Sequence, residues 1–204
     1  GEPLPDFDLH CPLMSLPGIF KTDLKSIPAR VPYVHPDPES TGRWNNLIPE
    51  DRGKMKVGLA WAGNPEHLND RNRSLPFSAL RTLFELERVL FFSIQLGRAR
   101  DEEDLPARGK WIDLTSLIRD FSDTAALIMN LDLVVCVDTA VAHLAGALGK
   151  RVWTLLPFSP DWRWLLDRED SPWYPTMRLF RQERFGDWEG VIARVAQELK
   201  QRFY

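Results

Sequence analysis

The stretch Val134–Pro157, VVCVDTAVAHLAGALGKRVWTLLP, decides the fold. An apolar run breaks at Asp138-Thr139, small and apolar residues follow at helical spacing, Gly149-Lys150 stops them, and a second apolar run begins at Val152. Short Val/Leu-rich runs without polar alternation are what strands buried on both faces require, and a helix between two of them is the crossover a parallel pair needs. A helix begun at Thr139 leaves the amides of Ala140, Val141 and Ala142 without intrahelical acceptors, and its dipole places partial positive charge there. Two readings of the polar cluster follow. Asp138 and Thr139 cap the helix while His143 packs in the core, or the amides, with His143 one turn along, receive an anion such as a pyrophosphate.

The same alternation runs outward in both directions. Strands are predicted at Lys56–Gly63 (KVGLAWAG), Arg88–Gln95 (RVLFFSIQ), Lys110–Leu114 (KWIDL), Leu131–Val137 (LDLVVCV), Arg151–Pro157 (RVWTLLP) and Thr176–Phe180 (TMRLF). Helices are predicted from Ser74 or Pro76 to Glu85, from a cap at Ser122 or Asp123 to Asn130, from Thr139 to Leu148 with Gly149 as the stop, and from Asp187 to Phe203. The last places Trp188, Val191, Ile192, Val195, Leu199 and Phe203 on one face. The fold class is α/β, a doubly wound, mainly parallel, Rossmann-like sheet. With the strand order 3-2-1-4-5-6, a crevice opens between the carboxyl ends of the first and fourth strands.

The loops at those ends carry the remaining polar candidates. Ala62–Leu80, AGNPEHLNDRNRSLPFSAL, is far longer than the roughly 2–6 residues usual for a strand-to-helix connection, and long loops are often functional. Arg71 and Arg73 precede a helix start at Ser74, and guanidinium groups suit bidentate phosphate recognition. Asn64 and His67 are further candidates in this loop, and Gln95, ending the second strand, is a candidate for a ribose edge. In Leu155–Trp164, LLPFSPDWRW, Asp161 and Trp162 are expected to be exposed and able to meet a base or sugar, unless the tryptophans pack instead.

Residues 1–51 hold nine prolines and show no sustained period, and read as a connector with a short helix near Glu39–Leu47; residues 52–204 form the domain, including the helix at 187–203. A net charge of −3 argues against a nucleic-acid or anionic-membrane partner recognised through bulk charge. No apolar run reaches the roughly 20 residues of a membrane span and no signal segment opens the chain, so the cytoplasm is the expected location. Two cysteines do not make a disulfide framework. The acidic pair Asp6 and Asp8 has no strand before it, the His10-Cys11 pair has no third orienting group, and the four histidines lack ligand spacing. Neither a metal nor a cofactor is expected.

Three motifs, VGLAWAGNPEHLNDRNRS, DTAVAHLAGALGK and LLPFSPDWRWLLDREDSPWYPTMRLFRQ, together covering most of Lys56–Gln182, resemble the C-terminal domain of bacterial GT-B glycosyltransferases of the ADP-heptose:lipopolysaccharide heptosyltransferase type. The version that follows tetratricopeptide repeats in large bacterial proteins is the most similar. The segment FDLHCPLMSLP resembles the stretch that joins the N-terminal half to this domain. The resemblance implies a nucleoside-diphosphate sugar held without an obligatory metal, the catalytic base supplied by the N-terminal half, and an acceptor of unstated kind. It implies that Asp138, Thr139 and His143, with the amides of Ala140, Val141 and Ala142, hold the diphosphate, with Arg73 facing it and His143 stabilising the leaving group. Ala140 stands where the family motif usually has glycine. Two other outcomes are a degenerate, non-catalytic transferase domain serving a repeat scaffold, and a sugar-nucleotide epimerase on the same fold. A nicotinamide enzyme is disfavoured because no Gly-x-Gly-x-x-Gly follows a predicted strand.

Overall fold

A computed structural model describes residues 5–51, 53–97 and 110–203; the first four residues of the expected connector, the boundary at Arg52 and the side chain of Phe203 lie outside the described residues. Six strands, β1 (Met55–Ala60), β2 (Val89–Ser93), β3 (Trp111–Asp113), β4 (Leu133–Val137), β5 (Val152–Leu156) and β6 (Met177–Arg181), form one sheet in the order β3-β2-β1-β4-β5-β6. Every neighbouring pair is parallel. The expected order and the switch between β1 and β4 are both present.

Pleating explains why the central strands read as unbroken apolar runs. In β4, Leu133, Val135 and Val137 join one core cluster while Val134 and Cys136 join the other. β2 divides likewise, Val89 and Phe91 against Leu90 and Phe92. The first cluster is closed by α6 (Trp188–Phe203), through Val191, Ile192, Val195 and Leu199, and by a 3-10 segment at Phe77–Glu85. The second is closed by α2 (Pro38–Leu47), α4 (Phe121–Met129) and α5 (Ala140–Ala147).

Several local expectations are corrected. The helix expected up to Glu85 is a nine-residue 3-10 helix that starts at Phe77, with Pro76 ahead of it. The α4 cap is Asp120, whose carboxylate accepts from the Asp123 amide, so the helix starts before Ser122. Asp123 instead turns inward. Burial opposes its charge, but donors from the Trp44 indole and from the Arg119 amide and guanidinium outweigh that and hold the carboxyl below the ordinary carboxylate range. Short helices absent from the sequence reading occur at α1 (Leu16–Ile19) and α3 (Asp70–Arg73).

Gly149 ends α5 as expected. At φ 70° it takes the left-handed conformation, with its amide donating to Gly146 O and that of Lys150 to Ala145 O, a Schellman arrangement. The proline-rich segment is largely exposed up to Arg30, but from Val31 onward it is docked on the domain. The amides of Tyr33 and Val34 both donate to Ala147 O at the end of α5, and Trp44 and Ile48 are buried in the core cluster of α4 and α5.

Trp44 therefore makes α2 part of the fold. A Trp44→Ala substitution is expected to lower unfolding free energy by about 3–5 kcal/mol, the range for a buried aromatic truncated to alanine. Urea denaturation checks this; a loss below 1 kcal/mol is the opposite outcome.

Candidate functional site

The site is built at the carboxyl ends of β1, β4 and β5. Thr139 occupies the position before α5 in extended conformation, φ −142° and ψ 172°, and no side chain caps the helix. The cap reading of Asp138 and Thr139 is thus corrected. Among the described residues the Thr139 hydroxyl oxygen is buried without a hydrogen-bond partner. The expectation of three free amides narrows to two: the Ala142 amide donates to Thr139 O at 3.0 Å, leaving those of Ala140 and Val141 at the open end. Uncapped amides at the positive end of a helix form an anion site.

Arg73 lies across this end. Its Nη1 donates to Asp138 O at 3.1 Å and its Nε to Asp70 Oδ1 at 3.3 Å. Its Nη2 passes so close over Gly63 that a Cβ there would stand 2.5 Å from it, so the absence of a side chain at Gly63 leaves room for the guanidinium in this position. Asp70 also accepts from the Ser74 hydroxyl, and Ser74 accepts from the Gly63 amide at 2.9 Å. Ser74 is thus committed to shaping the loop that presents Arg73. Gln95, 4% exposed, is committed too: its Oε1 accepts from the amides of Trp61 and Ala62 at 2.9 and 2.8 Å, tying the end of β1 to the end of β2.

Two clefts flank the ridge formed by Arg73, Thr139 and Ala140. One, of about 590 Å³, runs toward β2 and is mostly apolar, with Ile94, Leu96, Phe121 and Val141, and with Asn64 and Gln95 among its polar residues. The other, of about 600 Å³, runs toward β5 and is polar, with His67, Asp138, His143, Asp161 and Arg163. The structure therefore gathers Asn64, Arg73, Gln95, Asp138, Thr139, Ala140, Val141, His143 and Asp161 around one crevice. Arg71 is not among them: it is exposed and faces a separate depression with Leu68, Phe185 and Trp188. Ala142 is buried in the core behind the helix start. Trp162 is 59% exposed, set edge-on to Trp173 and beneath Arg163, outside both clefts.

His143 stands within this crevice on α5. Its ring stacks on the buried Trp164, with centroids 5.2 Å apart and planes at 21°, its Nδ1 is 3.1 Å from the Tyr174 hydroxyl, and its Nε2 is 4.0 Å from Asp138 Oδ1. Burial pushes the imidazole below its ordinary value of 6.5, Asp138 and Asp161 pulling it up and Arg163 down. Tyr174 and Trp164 were not singled out in the sequence. Trp164 lies two residues from Trp162 with nothing local to tell the inward ring from the outward one, and Tyr174 meets His143 across 31 residues. The described residues include no group of three His, Cys, Asp or Glu side chains able to hold a metal ion, and no helix long and apolar enough to cross a membrane.

Fold and site together define a doubly wound α/β domain with an open helix N-terminus at its topological switch point. Residues 119–173, from before α4 to beyond β5, match the profile of glycosyltransferase family 9 (heptosyltransferase). The chain is 30% identical over 190 residues to protein FlbA of Caulobacter vibrioides, covering 91% of the chain and 31% of that protein. It thus spans about a third of that relative's length. Its fold is similar to that of E. coli ADP-heptose lipopolysaccharide heptosyltransferase II, with a TM-score of 0.57 at 15% identity over 87% of this chain and 55% of the other.

Because the folded His143 is held below its ordinary value, the unfolded chain takes up its proton first, and the stability this group contributes is lost as pH falls below about 6.5. The urea midpoint of the wild type is expected to drop more between pH 7.5 and pH 5.5 than that of His143→Gln, as monitored by fluorescence; parallel pH profiles are the contrary result.

Proposed function

We propose that this chain is the donor-binding half of a metal-independent glycosyltransferase, in which a nucleoside-diphosphate sugar lies across the ridge of Arg73, Thr139 and Ala140. The observation that carries this reading is the uncapped start of α5, where two amides, an orphan hydroxyl and the guanidinium of Arg73, held by Asp70, converge. The family match over the same segment supports it, as does the shared fold.

Each group has a physical task. As the bond between sugar and diphosphate breaks, negative charge builds on the leaving phosphate; the amides of Ala140 and Val141, the Arg73 guanidinium and the His143 Nε2–H stabilise it as fixed donors. Donors already held by Asp70, Asp138, Gly63 and Trp164 need little reorganisation in the reaction. The mostly apolar cleft beside Gln95 suits the nucleoside, and Asn64 and Asp161 each line one of the two clefts. The base that activates the acceptor comes from an N-terminal half outside this sequence, which makes the isolated chain a binding unit rather than a complete enzyme. The acceptor is a glycan, lipid or protein, and the setting is a cytoplasmic protein bearing tetratricopeptide repeats.

A second reading, a non-catalytic module in such a scaffold, draws on Ala140, whose methyl group stands at the ridge where the family motif has glycine. It differs in predicting binding without turnover when the full-length protein is given donors and acceptors.

Isothermal titration with ADP, UDP and GDP tests the donor site. One of them is expected to bind, with Arg73→Ala and His143→Ala each weakening it by about 10-fold or more, as loss of a charge-assisted hydrogen bond implies. Arg71→Ala is expected to leave affinity unchanged. Absence of binding, or affinity indifferent to Arg73 and His143, is the result that removes the proposal.

A further inference from the structure

We propose that Tyr174 is a positioning residue that fixes His143 in the tautomer with its proton on Nε2, the nitrogen turned toward Asp138 and the polar cleft. The proposal rests on the reading of that cleft as a donor site, and it concerns how the site is kept ready rather than what occupies it.

The charge beside the ring decides which nitrogen accepts. The Asp138 carboxylate, 4.0 Å from Nε2, favours the proton on that nitrogen, which leaves Nδ1 to accept from the Tyr174 hydroxyl at 3.1 Å, with the Tyr33 hydroxyl 3.5 Å from the same oxygen. A neutral imidazole that accepts at Nδ1 carries its proton at Nε2. Tyr174 stays a neutral phenol, because burial and the Tyr33 hydroxyl push it above its ordinary value. The charged groups facing the imidazole are Asp138, Asp161 and Arg163, and Asp138, 4.0 Å from Nε2, favours a proton on that nitrogen. The other tautomer turns a lone pair toward the Asp138 carboxylate, and it repels an incoming anion rather than donating to it.

Packing removes the freedom that would let this choice relax. Tyr174 is 8% exposed, and its ring lies against α5 at Gly146, where a Cβ would come within 2.5 Å of the ring carbon Cγ. Trp164 fixes the plane of the imidazole by stacking, and the Tyr174 hydroxyl fixes its rotation within that plane. Tyr33 is itself pinned by its amide to Ala147 O, one turn beyond His143 on the same helix. The relay thus starts in the proline-rich segment and ends at the cleft. It also opposes protonation, since an imidazolium donates from Nδ1 and forces the Tyr174 hydrogen out of a buried contact.

Nitrogen-detected NMR of the four histidines, with His143 assigned by substitution, tests this directly. At pH 7.5 the wild type is expected to show His143 with Nδ1 unprotonated and Nε2 protonated. Tyr174→Phe, which keeps the ring, is expected to give an averaged pattern of both tautomers, a higher His143 pKa and an affinity for the bound nucleoside diphosphate lower by about 2–10-fold, the value of one hydrogen bond. A wild-type His143 protonated on Nδ1 overturns the proposal whether or not the variant folds, and so does a Tyr174→Phe spectrum with the wild-type pattern. A shifted tautomer with unchanged affinity overturns the positioning role. A shifted tautomer in a protein that binds no nucleoside diphosphate upholds the relay and rejects the donor site.

Discussion

The peptide amides at the start of α5 are the constraint around which the rest is arranged. A helix that begins directly after a buried parallel strand brings its positive end to the mouth of the sheet, and here no side chain neutralises it. Asp138 keeps its carboxylate for the vicinity of His143, and Thr139 leaves its hydroxyl unpartnered. An open helix end of this kind is unfavourable unless solvent or a ligand satisfies it. Arg73 is brought to the same end, donating to the carbonyl of Asp138 immediately ahead of the helix while Asp70 holds its Nε.

That arrangement depends on commitments made elsewhere. Gln95 uses its side-chain carbonyl oxygen to join β1 to β2, Ser74 its hydroxyl and Asp70 its carboxylate to fold the β1 loop, and Gly63 has no side chain in the way of the guanidinium. On the other side, Trp164 and Tyr174 occupy two sides of one imidazole. The amides of Ala140 and Val141 are left open at the crevice, and side chains committed to other contacts hold Arg73 and His143 in place. Such a division is what a preorganised site requires, since donors already in position lose little on binding.

Much of this was legible in the sequence, for reasons that also explain what was not. The strands were readable because both faces of a parallel sheet are buried, which leaves runs such as Val134–Val137 without polar residues; alternation with helices gave the doubly wound class, and the order present is the usual one for that class. Gly149 was readable because a left-handed helix stop strongly favours glycine. Arg71 and Arg73 were not separable by residue type, only by the family resemblance, because two basic residues in one loop differ only in which way the short α3 turns them. Capping was misplaced at α4, where Asp120, Ser122 and Asp123 cluster and backbone geometry chooses among them; at α5 Thr139 holds the expected position but its hydroxyl makes no capping bond. The Tyr33–Tyr174–His143 relay joins residues up to 141 positions apart and leaves no local signal.

The central claim is that the open end of α5 receives a diphosphate, and the amides themselves report on it. In a titration of the 15N-labelled chain with the nucleoside diphosphate that binds, the Ala140 and Val141 resonances should move first and furthest, with the Arg73 guanidinium moving alongside and Arg71 remaining still. Saturable binding that leaves the Ala140 and Val141 resonances in place would contradict the account.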